Sequence, residues 1–432
     1  MKFRFFLIIT ILTFTSIQAE ETYALDECLD MARSYSKRIE ATKSQIDVAE
    51  GLKNEARSYL LPHINVDGRY EIKNGSRDFS AFSEYGGSFS TKTIGVSANL
   101  LLFDGFSAWN QFQAGKWGVV ASQKNLEKAF IHLEEEVKIA YFRVLETDKG
   151  VHVVEDSIKT LRQQLKTVED FFEQGMVAKT DVLSVEVQLA EKRKALLRAY
   201  NERIQARMNL NRHIGKDLLH SFLLQEVCMP TLKSLSSDNL HRYALSHRQD
   251  IKALKAQIEA LESRYRAALG SYGPKLFAFG GYNRVENTIP QEPHQPKPNK
   301  NWISGGVGLQ FPLYEGGKTS AEVKKIKGQI SEAKANLEDL ELGLLMEVNN
   351  AYFQWQEQYA GIAIDKVALS CAEENLRSTT DRYAQGLVSI NDLLKAEEQL
   401  SHARMNSNRT LYRYHMAHAH LISVVGGISE GK

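Results

Sequence analysis

The segment Leu102-Phe103-Asp104-Gly105 recurs 211 residues later as Leu313-Tyr314-Glu315-Gly316. Upstream of it the offset becomes 212 residues, as between Pro62 and Pro274. A correspondence through nearly the whole chain indicates two copies of one structural unit. Other matches at the offset of 211 are Ala140-Tyr141-Phe142 with Ala351-Tyr352-Phe353, Gln174-Gly175 with Gln385-Gly386, and Asp181 with Asp392.

The charges of the 432-residue chain almost cancel, with 54 lysines and arginines against 53 aspartates and glutamates. A net charge of +1 excludes a strongly basic nucleic-acid-binding surface, so we expect no nucleic-acid partner. The three cysteines lie far apart, and no two of them have the spacing of a zinc or redox pair. Beyond the N-terminus, no stretch is apolar enough to span a membrane as a helix.

The N-terminus has the pattern of a secretory signal peptide, which we place at residues 1–19. Lys2 and Arg4 precede an apolar run from Phe5 to Phe14, and two acidic residues follow Ala19. The run of about ten residues is too short to span a bilayer as a helix. An uncleaved membrane anchor is the alternative interpretation. Cleavage after Ala19 predicts an exported protein.

Long stretches of the chain contain no proline and favour helices, because they are rich in Ala, Leu, Glu, Lys, Gln and Arg. Pro62 and Pro274 are predicted to end the first helix of each copy. For the first repeat, residues 20–229, we predict a helix, β-strands 63–72 and 91–102, a long helix 105–172 and a helix 179–214. For the second repeat, residues 230–432, we predict a helix 238–272, β-strands 275–285 and 302–312, a long helix 316–383 and a helix 390–425.

Apolar residues recur every seven positions within residues 180–213, in the pairs Val182/Leu183, Leu189/Ala190 and Leu196/Leu197. This spacing is typical of a coiled coil. The core of a soluble helical bundle has a similar apolar stripe and is the alternative. The length of the predicted long helices argues against it, because each would reach roughly 100 Å.

The predicted strands alternate between apolar and polar residues, as a strand with one apolar face does. In an exported chain, strands of about ten residues with this pattern favour a transmembrane β-barrel; a half-buried strand of a soluble sheet is the alternative. The strand that starts at Lys275 departs from the pattern, because Phe277 and Phe279 fall on its polar face. The residues predicted to face lipid are Ile64, Val66, Tyr70, Ile94, Val96, Leu100, Val307, Leu309 and Phe311.

Four strands cannot close a barrel, and an open sheet edge in lipid would leave backbone groups unpaired. The chain must therefore oligomerise if its strands span a membrane. Two copies would give eight strands with an interior filled by side chains, whereas three copies would give twelve strands around a lumen. The polar face of the strands favours three copies. The segments 73–90 and 285–300, rich in Gly, Ser, Asn and Pro, are predicted to be outer loops.

In the order and spacing of these features, the chain resembles the TolC-like outer membrane efflux protein family over essentially its whole length after the signal peptide. The resemblance rests on the two-copy layout, Pro62 and Pro274, the two strand-to-helix junctions, and the turns that start at Gln174-Gly175 and Gln385-Gly386. It implies a mainly α fold with a small transmembrane β part. In a homotrimer of this kind, a long α-helical coiled-coil barrel is continuous with a 12-stranded β-barrel.

The resemblance also implies a function in the cell outer membrane, with the protein extending into the periplasm. Members of the family form a porin-like channel-tunnel, the passive exit duct of a tripartite efflux pump or a type I secretion system. The partners would be a periplasmic adaptor (membrane fusion protein), an inner-membrane transporter and outer membrane lipid. A periplasmic coiled-coil scaffold without a pore is the alternative function.

The resemblance assigns functional roles to two sets of residues, and the residue types in both sets also have simpler structural explanations. Helix caps explain the glycines, and the helix dipole explains the aspartates. Val388 and Lys395 differ from some relatives, which have an arginine and an acidic residue there. The turns that would contact the adaptor comprise Gly175, Met176, Val177, Gly386, Leu387 and Val388. The periplasmic gate would comprise Thr180, Asp181, Tyr383 and Asp392, with each Asp repeated three times around a trimer.

No sequence pattern indicates catalysis, a cofactor or a metal. Gly317-Lys318-Thr319 resembles the end of a phosphate-binding loop, but Pro312 stands where that loop needs its first glycine. Four histidines lie between positions 402 and 420, but only His415 and His418 share a helix face, and no carboxylate or cysteine completes a ligand set. We therefore interpret these histidines as solvated helix residues and predict that the protein is not an enzyme.

Overall fold

A computed structural model describes residues 21–80, 83–227, 237–288 and 300–427. The predicted signal peptide lies outside the described residues. The first half contains, in chain order, β1 (Thr22–Tyr23), α1 (Leu25–Tyr35), α2 (Lys37–Ser58), β2 (His63–Ser80), β3 (Ser83–Phe103), α3 (Ser107–Glu173), α4 (Lys179–Ile214) and β4 (Leu223–Leu224).

The second half repeats this order from its first helices onward, and the chain as described is mainly helical. Its elements are α5 (Ser237–His247), α6 (Gln249–Gly270), β5 (Lys275–Thr288), β6 (Lys300–Gln310), α7 (Lys318–Ala384) and α8 (Ile390–Val425). Among the described residues, no helix combines the length and the apolarity that crossing a membrane requires.

The long strands form one antiparallel sheet in the order β2-β3-β5-β6. β2 and β6 are therefore its edge strands, and neither has a second partner strand among the described residues. An edge strand presents a row of backbone N–H and C=O groups that can pair with another strand. β1 and β4 form a separate parallel pair of two residues each.

β2, β3 and β5 are longer than the sequence predicts, whereas β6 has the predicted length but begins and ends two residues earlier. β2 and β3 continue as a paired hairpin through residues 73–80 and 83–90, where we predicted an outer loop. That prediction was wrong because it relied on a composition typical of loops, whereas the backbone hydrogen bonds between antiparallel strands do not depend on side-chain type. β5 likewise extends to Thr288, and β6 begins at Lys300. The loop predicted between them falls mostly on residues 289–299, outside the described part.

The first helix of each repeat is broken in two, whereas the sequence predicts one helix. The breaks lie at Ser36, between α1 and α2, and at Arg248, between α5 and α6. Glycines that follow α4 and α8 lie close to both breaks. A Cβ added at Gly215 would collide with the ring of Tyr35, and one at Gly426 would lie 3.2 Å from the Arg248 Cα. The ends of α4 and α8 therefore press directly against the two breaks.

The repeated segments that begin at Leu102 and Leu313 connect a strand of the sheet to a long helix, β3 to α3 and β6 to α7. Asp104 Oδ2 accepts the backbone N–H of Ala108 at 2.8 Å, which satisfies a donor in the first turn of α3. In the second repeat, Glu315 Oε2 accepts the Thr319 hydroxyl at 2.7 Å. The following glycines have positive φ angles, 69° at Gly105 and 63° at Gly316, which glycine adopts without strain.

The described residues form two compact units. Among them, the helix-tip unit takes its residues from 21–36, 132–227, 237 and 349–423, and the sheet unit from 37–80, 83–131, 238–288, 300–348 and 424–427. Each unit draws on both sequence repeats, and α3 and α7 contribute a segment to each. Compact units and sequence repeats therefore do not coincide.

In the helix-tip unit, His415 is buried, so its interpretation as a solvated residue was wrong. Its ring stacks on Phe142 with a centroid distance of 4.6 Å and an interplanar angle of 15°. Burial, with a smaller effect from His418, lowers the pKa of His415 to about 4, so the ring is neutral at neutral pH. His420 Nδ1 lies 2.6 Å from Glu135 Oε1. No group of three His, Cys, Asp or Glu side chains in the described ranges could hold a metal ion.

Candidate functional site

The pairing register places the predicted lipid-facing residues of β2, β3 and β6 on one face of the sheet. In one row across this face, Val66 pairs with Val96, Val96 with Tyr282, and Tyr282 with Ile303. The exposed fraction is 74% for Val66 and 85% for Ile303, and Phe311, just after β6, is 54% exposed. A contiguous exposed apolar surface of this kind marks a protein or membrane contact. This apolar sheet face comprises Ile64, Val66, Tyr70, Ile94, Val96, Leu100, Tyr282, Ile303, Val307 and Leu309.

Towards the β2–β3 hairpin, the apolar sheet face also carries charged and aromatic residues. Arg284 Nη2 lies 2.6 Å from Glu286 Oε1, and Lys92 Nζ lies 6.0 Å from the centre of the Tyr70 ring. Towards the long helices, Tyr314 is 87% exposed. Aromatic residues at both ends of an apolar band are typical of a surface that meets the two interfaces of a membrane.

The two helix–helix turns of the helix-tip unit have the same backbone geometry. The N–H groups of Gly175 and Gly386 each donate to the carbonyl three residues earlier at 2.9 Å, and the next N–H, from Met176 or Leu387, donates to the carbonyl five residues earlier at 2.9 Å. Both glycines have φ of 72°. This is the Schellman arrangement that ends many helices, and it requires a residue in the left-handed region.

Side chains from both turns enter a shared apolar cluster, which we call the tip cluster. Its buried members are Val168, Val185, Tyr383, Ile390 and Leu393, contributed by all four helices that meet at the two turns. Val177 and Val388 pack against it, whereas Met176 and Leu387 remain 67% and 64% exposed. Of the six residues predicted to contact an adaptor, these last two therefore offer apolar side chains to solvent.

The two turns differ in how the next helix begins. Asp392 Oδ2 accepts both the hydroxyl of Ser389, at 2.7 Å, and its backbone N–H, at 3.2 Å, while Ser389 Oγ accepts the Asp392 N–H at 3.3 Å. This reciprocal arrangement is a capping box. The matching position before α4 is Ala178, which has no side-chain cap. The bonds from Ser389 lower the pKa of Asp392, with a smaller contribution from Lys395.

The predicted gate residues lie in different environments within one protomer. Thr180 and Asp392 are exposed, and Asp181 is half-buried. Tyr383 is buried, and its ring centre lies 6.2 Å from that of Phe171. Burial raises the pKa of Tyr383, and the charge of Asp181 raises it further. The Tyr383 hydroxyl has no hydrogen-bond partner in the described part of the chain.

Sequence reasoning missed Ser389 and Glu397. The signal for Ser389 was present, because Ser-x-x-Asp before an apolar run is a capping-box pattern. No signal marked Glu397, which is only 4% exposed although the matching residue of the first repeat, Glu186, is exposed. Burial raises the pKa of Glu397, while Ser157, Lys192 and Arg404 oppose this shift.

Comparison with known proteins shows the family to which the chain belongs. The model of the outer membrane efflux protein family matches residues 28–216 and again residues 240–427. The chain is similar to the outer membrane efflux protein BepC of Brucella suis, at 22% identity over 379 aligned residues that cover 87% of this chain and 80% of BepC. It is also similar to the outer membrane protein TolC of Vibrio cholerae, at 23% identity over 415 aligned residues that cover 94% of this chain and 91% of that protein.

Among solved structures, the fold is similar to that of the Campylobacter jejuni CmeC outer membrane channel. The TM-score is 0.82 at 15% identity, and the match covers 94% of this chain and 87% of CmeC. At this identity the likeness shows the fold alone. The family model, by contrast, accounts for most of the sequence in two consecutive matches. The predicted resemblance is therefore confirmed, and the chain belongs to the outer membrane efflux protein family.

Proposed function

We propose that this chain forms a homotrimeric channel of the outer membrane and serves as the passive exit duct of a tripartite efflux pump or a type I secretion system. The observation that carries the proposal is the exposed apolar face of a four-stranded sheet with two open edges. If β6 of one copy pairs with β2 of the next, three copies close a sheet of twelve strands, and no strand edge is left unpaired in lipid. The apolar sheet face then contacts outer membrane lipid.

Exposed rows on the long helices support association of the helices as well. Leu183, Ala190, Leu197 and Ile204 recur every seven residues on α4 and are all exposed, whereas Leu189 and Leu196 of the neighbouring row pack within the protomer. On α7, Phe353 and Val367 are 60% and 63% exposed. A seven-residue spacing suits packing against the helices of a second copy, and the helices would then form a tunnel in the periplasm.

The proposal is tested by purification in detergent, light scattering and recordings in planar bilayers. We expect trimers that conduct ions. Leu197→Glu puts a charge into the exposed row and should shift the protein to monomers, whereas Arg198→Glu, one position away, should leave trimers intact. A protein that fractionates as soluble after export, or that forms no conducting species, would contradict the channel and favour the scaffold without a pore.

We infer that Asp181 and Asp392, repeated around the trimer, restrict ion passage at the closed periplasmic end, with Thr180 and Tyr383 beside them. Replacing Asp392 with Ala should raise conductance and weaken block by divalent cations, because a ring of three carboxylates is removed. Ser389→Ala is the matched control, since it breaks the capping box but keeps the carboxylate. Equal effects of the two substitutions would mean that Asp392 acts only as a helix cap.

We also infer that the exposed side chains of Met176 and Leu387 contact a periplasmic adaptor, which links the channel to an inner-membrane transporter. Met176→Asp combined with Leu387→Asp should abolish efflux in cells that carry a matching adaptor and transporter, yet leave bilayer conductance unchanged. Retained efflux would place the adaptor contact elsewhere. Deletion of the gene distinguishes efflux of a drug or metal ion from export of a protein, because the substrate of the duct should then accumulate in the cell.

A further inference from the structure

Two phenylalanines lie on the polar face of the sheet, opposite the apolar sheet face. Phe279 pairs with Asn99 of β3 and Gly306 of β6, and Phe277 pairs with Leu101 of β3 and Gly308 of β6. The next row on this polar face holds Ser97, Gly281 and Ser304. The departure of β5 from alternation in the sequence thus produces an aromatic pair within a polar surface.

The glycines of β6 determine where these two rings lie. A Cβ added at Gly308 would collide with the ring of Phe277, and one at Gly306 would lie 3.0 Å from the Cζ of Phe279. Each ring therefore rests on the neighbouring strand, in the space that a side chain of β6 would otherwise fill. An aromatic ring that covers a glycine across a strand pair stabilises the pair.

The outer sides of the rings remain available. Phe279 is 41% exposed, Phe277 is half-buried, and the ring centres are 6.3 Å apart. Together they form an aromatic plate that spans β5 and β6. Aromatic faces attract other aromatic rings through stacking and attract organic cations through the ring quadrupole. The row beside Phe279, with Ser97, Gly281 and Ser304, has neither property. Trp302, which is 45% exposed, lies on the same face one row further on, opposite Asn283.

We propose that Phe277 and Phe279 form a contact site for aromatic cations on the water-filled inner wall of the channel. The inference rests on the proposed function, because the polar face lines the lumen only if the sheet closes around it. In a trimer the plate occurs three times at one height, which gives a passing aromatic solute several ring faces to stack on. Organic cations without a ring have only the attraction to the ring quadrupole and cannot stack.

The test compares two blockers of similar size in single-channel recordings of the purified protein: benzyltrimethylammonium, which carries a phenyl ring, and tetraethylammonium, which does not. In the wild type, benzyltrimethylammonium should block at a concentration roughly two- to tenfold lower, as one ring stack predicts. In the variant that combines Phe277→Ser with Phe279→Ser, most of this preference should be lost, whereas Trp302→Ser, which removes a separate exposed ring of the same face, should leave it unchanged. Persistence of the preference in the double variant, or its absence from the wild type, would overturn the proposal.

A second set of variants keeps both rings and changes only their position. Gly308→Ala should push the Phe277 ring away from the strand into the lumen and lower single-channel conductance, and adding Phe277→Ser should restore it. Gly305→Ala is the matched control, because a Cβ there faces the other side of the sheet and meets only the Phe279 carbonyl oxygen, at 3.7 Å. Equal conductance of the Gly308→Ala and Gly305→Ala variants would place the rings outside the lumen.

The outcomes separate the inference from the proposed function. If the wild-type protein does not conduct, the channel itself is refuted. If it conducts but neither set of variants has an effect, only the aromatic site is refuted. Should the double Ser variant fail to fold, Phe277→Leu with Phe279→Leu keeps apolar bulk without rings, and the same loss of preference is expected.

Discussion

The α3–α4 turn and the α7–α8 turn occupy matching positions in the two repeats, and they share a backbone but not a set of side-chain contacts. Gly175 and Gly386 have the same φ angle and the same pattern of hydrogen bonds. Beside them, however, Tyr383 is buried in the tip cluster, whereas Phe172 at the matching position is 43% exposed. Only the second turn begins its next helix with a capping box.

The two repeats therefore share the backbone conformation of the turn, but more of the stabilising side-chain contacts lie at the α7–α8 turn. A buried ring and a helix cap both resist local opening, and both belong to the α7–α8 turn. We therefore expect the α3–α4 turn to open more readily. Hydrogen exchange of the amides in each turn measures this directly, because local opening controls the exchange rate of protected amides.

The largest expected effect comes from removing the buried ring. Tyr383→Ala should destabilise the helix-tip unit by about 3 kcal/mol, since it leaves a cavity in the tip cluster. Phe172→Ala at the matching position should cost less than about 1 kcal/mol, because exposed residues contribute little. Thermal unfolding in detergent, followed by circular dichroism, gives both values. Similar losses from the two variants would mean that the turns are equivalent in stability.

Replacing the turn glycines should affect both turns alike. A Cβ at Gly175 or Gly386 meets no atom within 4 Å, so the cost comes only from holding an alanine at positive φ. That cost is about 1–2 kcal/mol for each Gly→Ala variant, and asparagine should cost less. The same unfolding measurement applies. If one turn tolerates alanine and the other does not, the two backbones are not equivalent.

Exchanging the helix caps should reduce the difference in stability between the two turns. Ser389→Ala should lose about 1 kcal/mol because it removes the capping box before α8. Ala178→Ser should gain a similar amount, since Asp181 already stands three residues later, as the box requires. Amide exchange in each turn reports the local change. No gain from Ala178→Ser would indicate that Asp181 is held by other contacts.

The smallest effect concerns the dependence of stability on pH. Because burial raises the pKa of Glu397 above its unfolded value, its contribution is most favourable below the unfolded pKa and is lost as pH rises through the folded pKa. Glu397→Gln should therefore stabilise the protein relative to wild type at pH 8 and have little effect at pH 4. Glu186→Gln, at the exposed matching position, should change the stability at neither pH. A stabilisation confined to pH 4 would contradict this assignment.

Much of this organisation could be predicted from residue types alone. The glycines of the turns, the aspartates after them and the alternation along the strands are local patterns, and local backbone geometry follows from them. The breaks at Ser36 and Arg248 could not be predicted, because Gly215 and Gly426, which press against them, lie far away in the sequence. The burial of His415 depends in the same way on Phe142 of another helix.

The sequence by itself determined that the chain has two copies of one unit, that its helices are long, and which residues of a strand share a face. These properties follow from periodicity and backbone preference, which act between neighbours in the chain. Only the tertiary structure decided that Tyr383 is buried while Phe172 is exposed, that Glu397 is enclosed while Glu186 is not, and that Phe277 and Phe279 rest on Gly308 and Gly306. Burial depends on what packs from elsewhere, and two repeats with the same local pattern meet different neighbours.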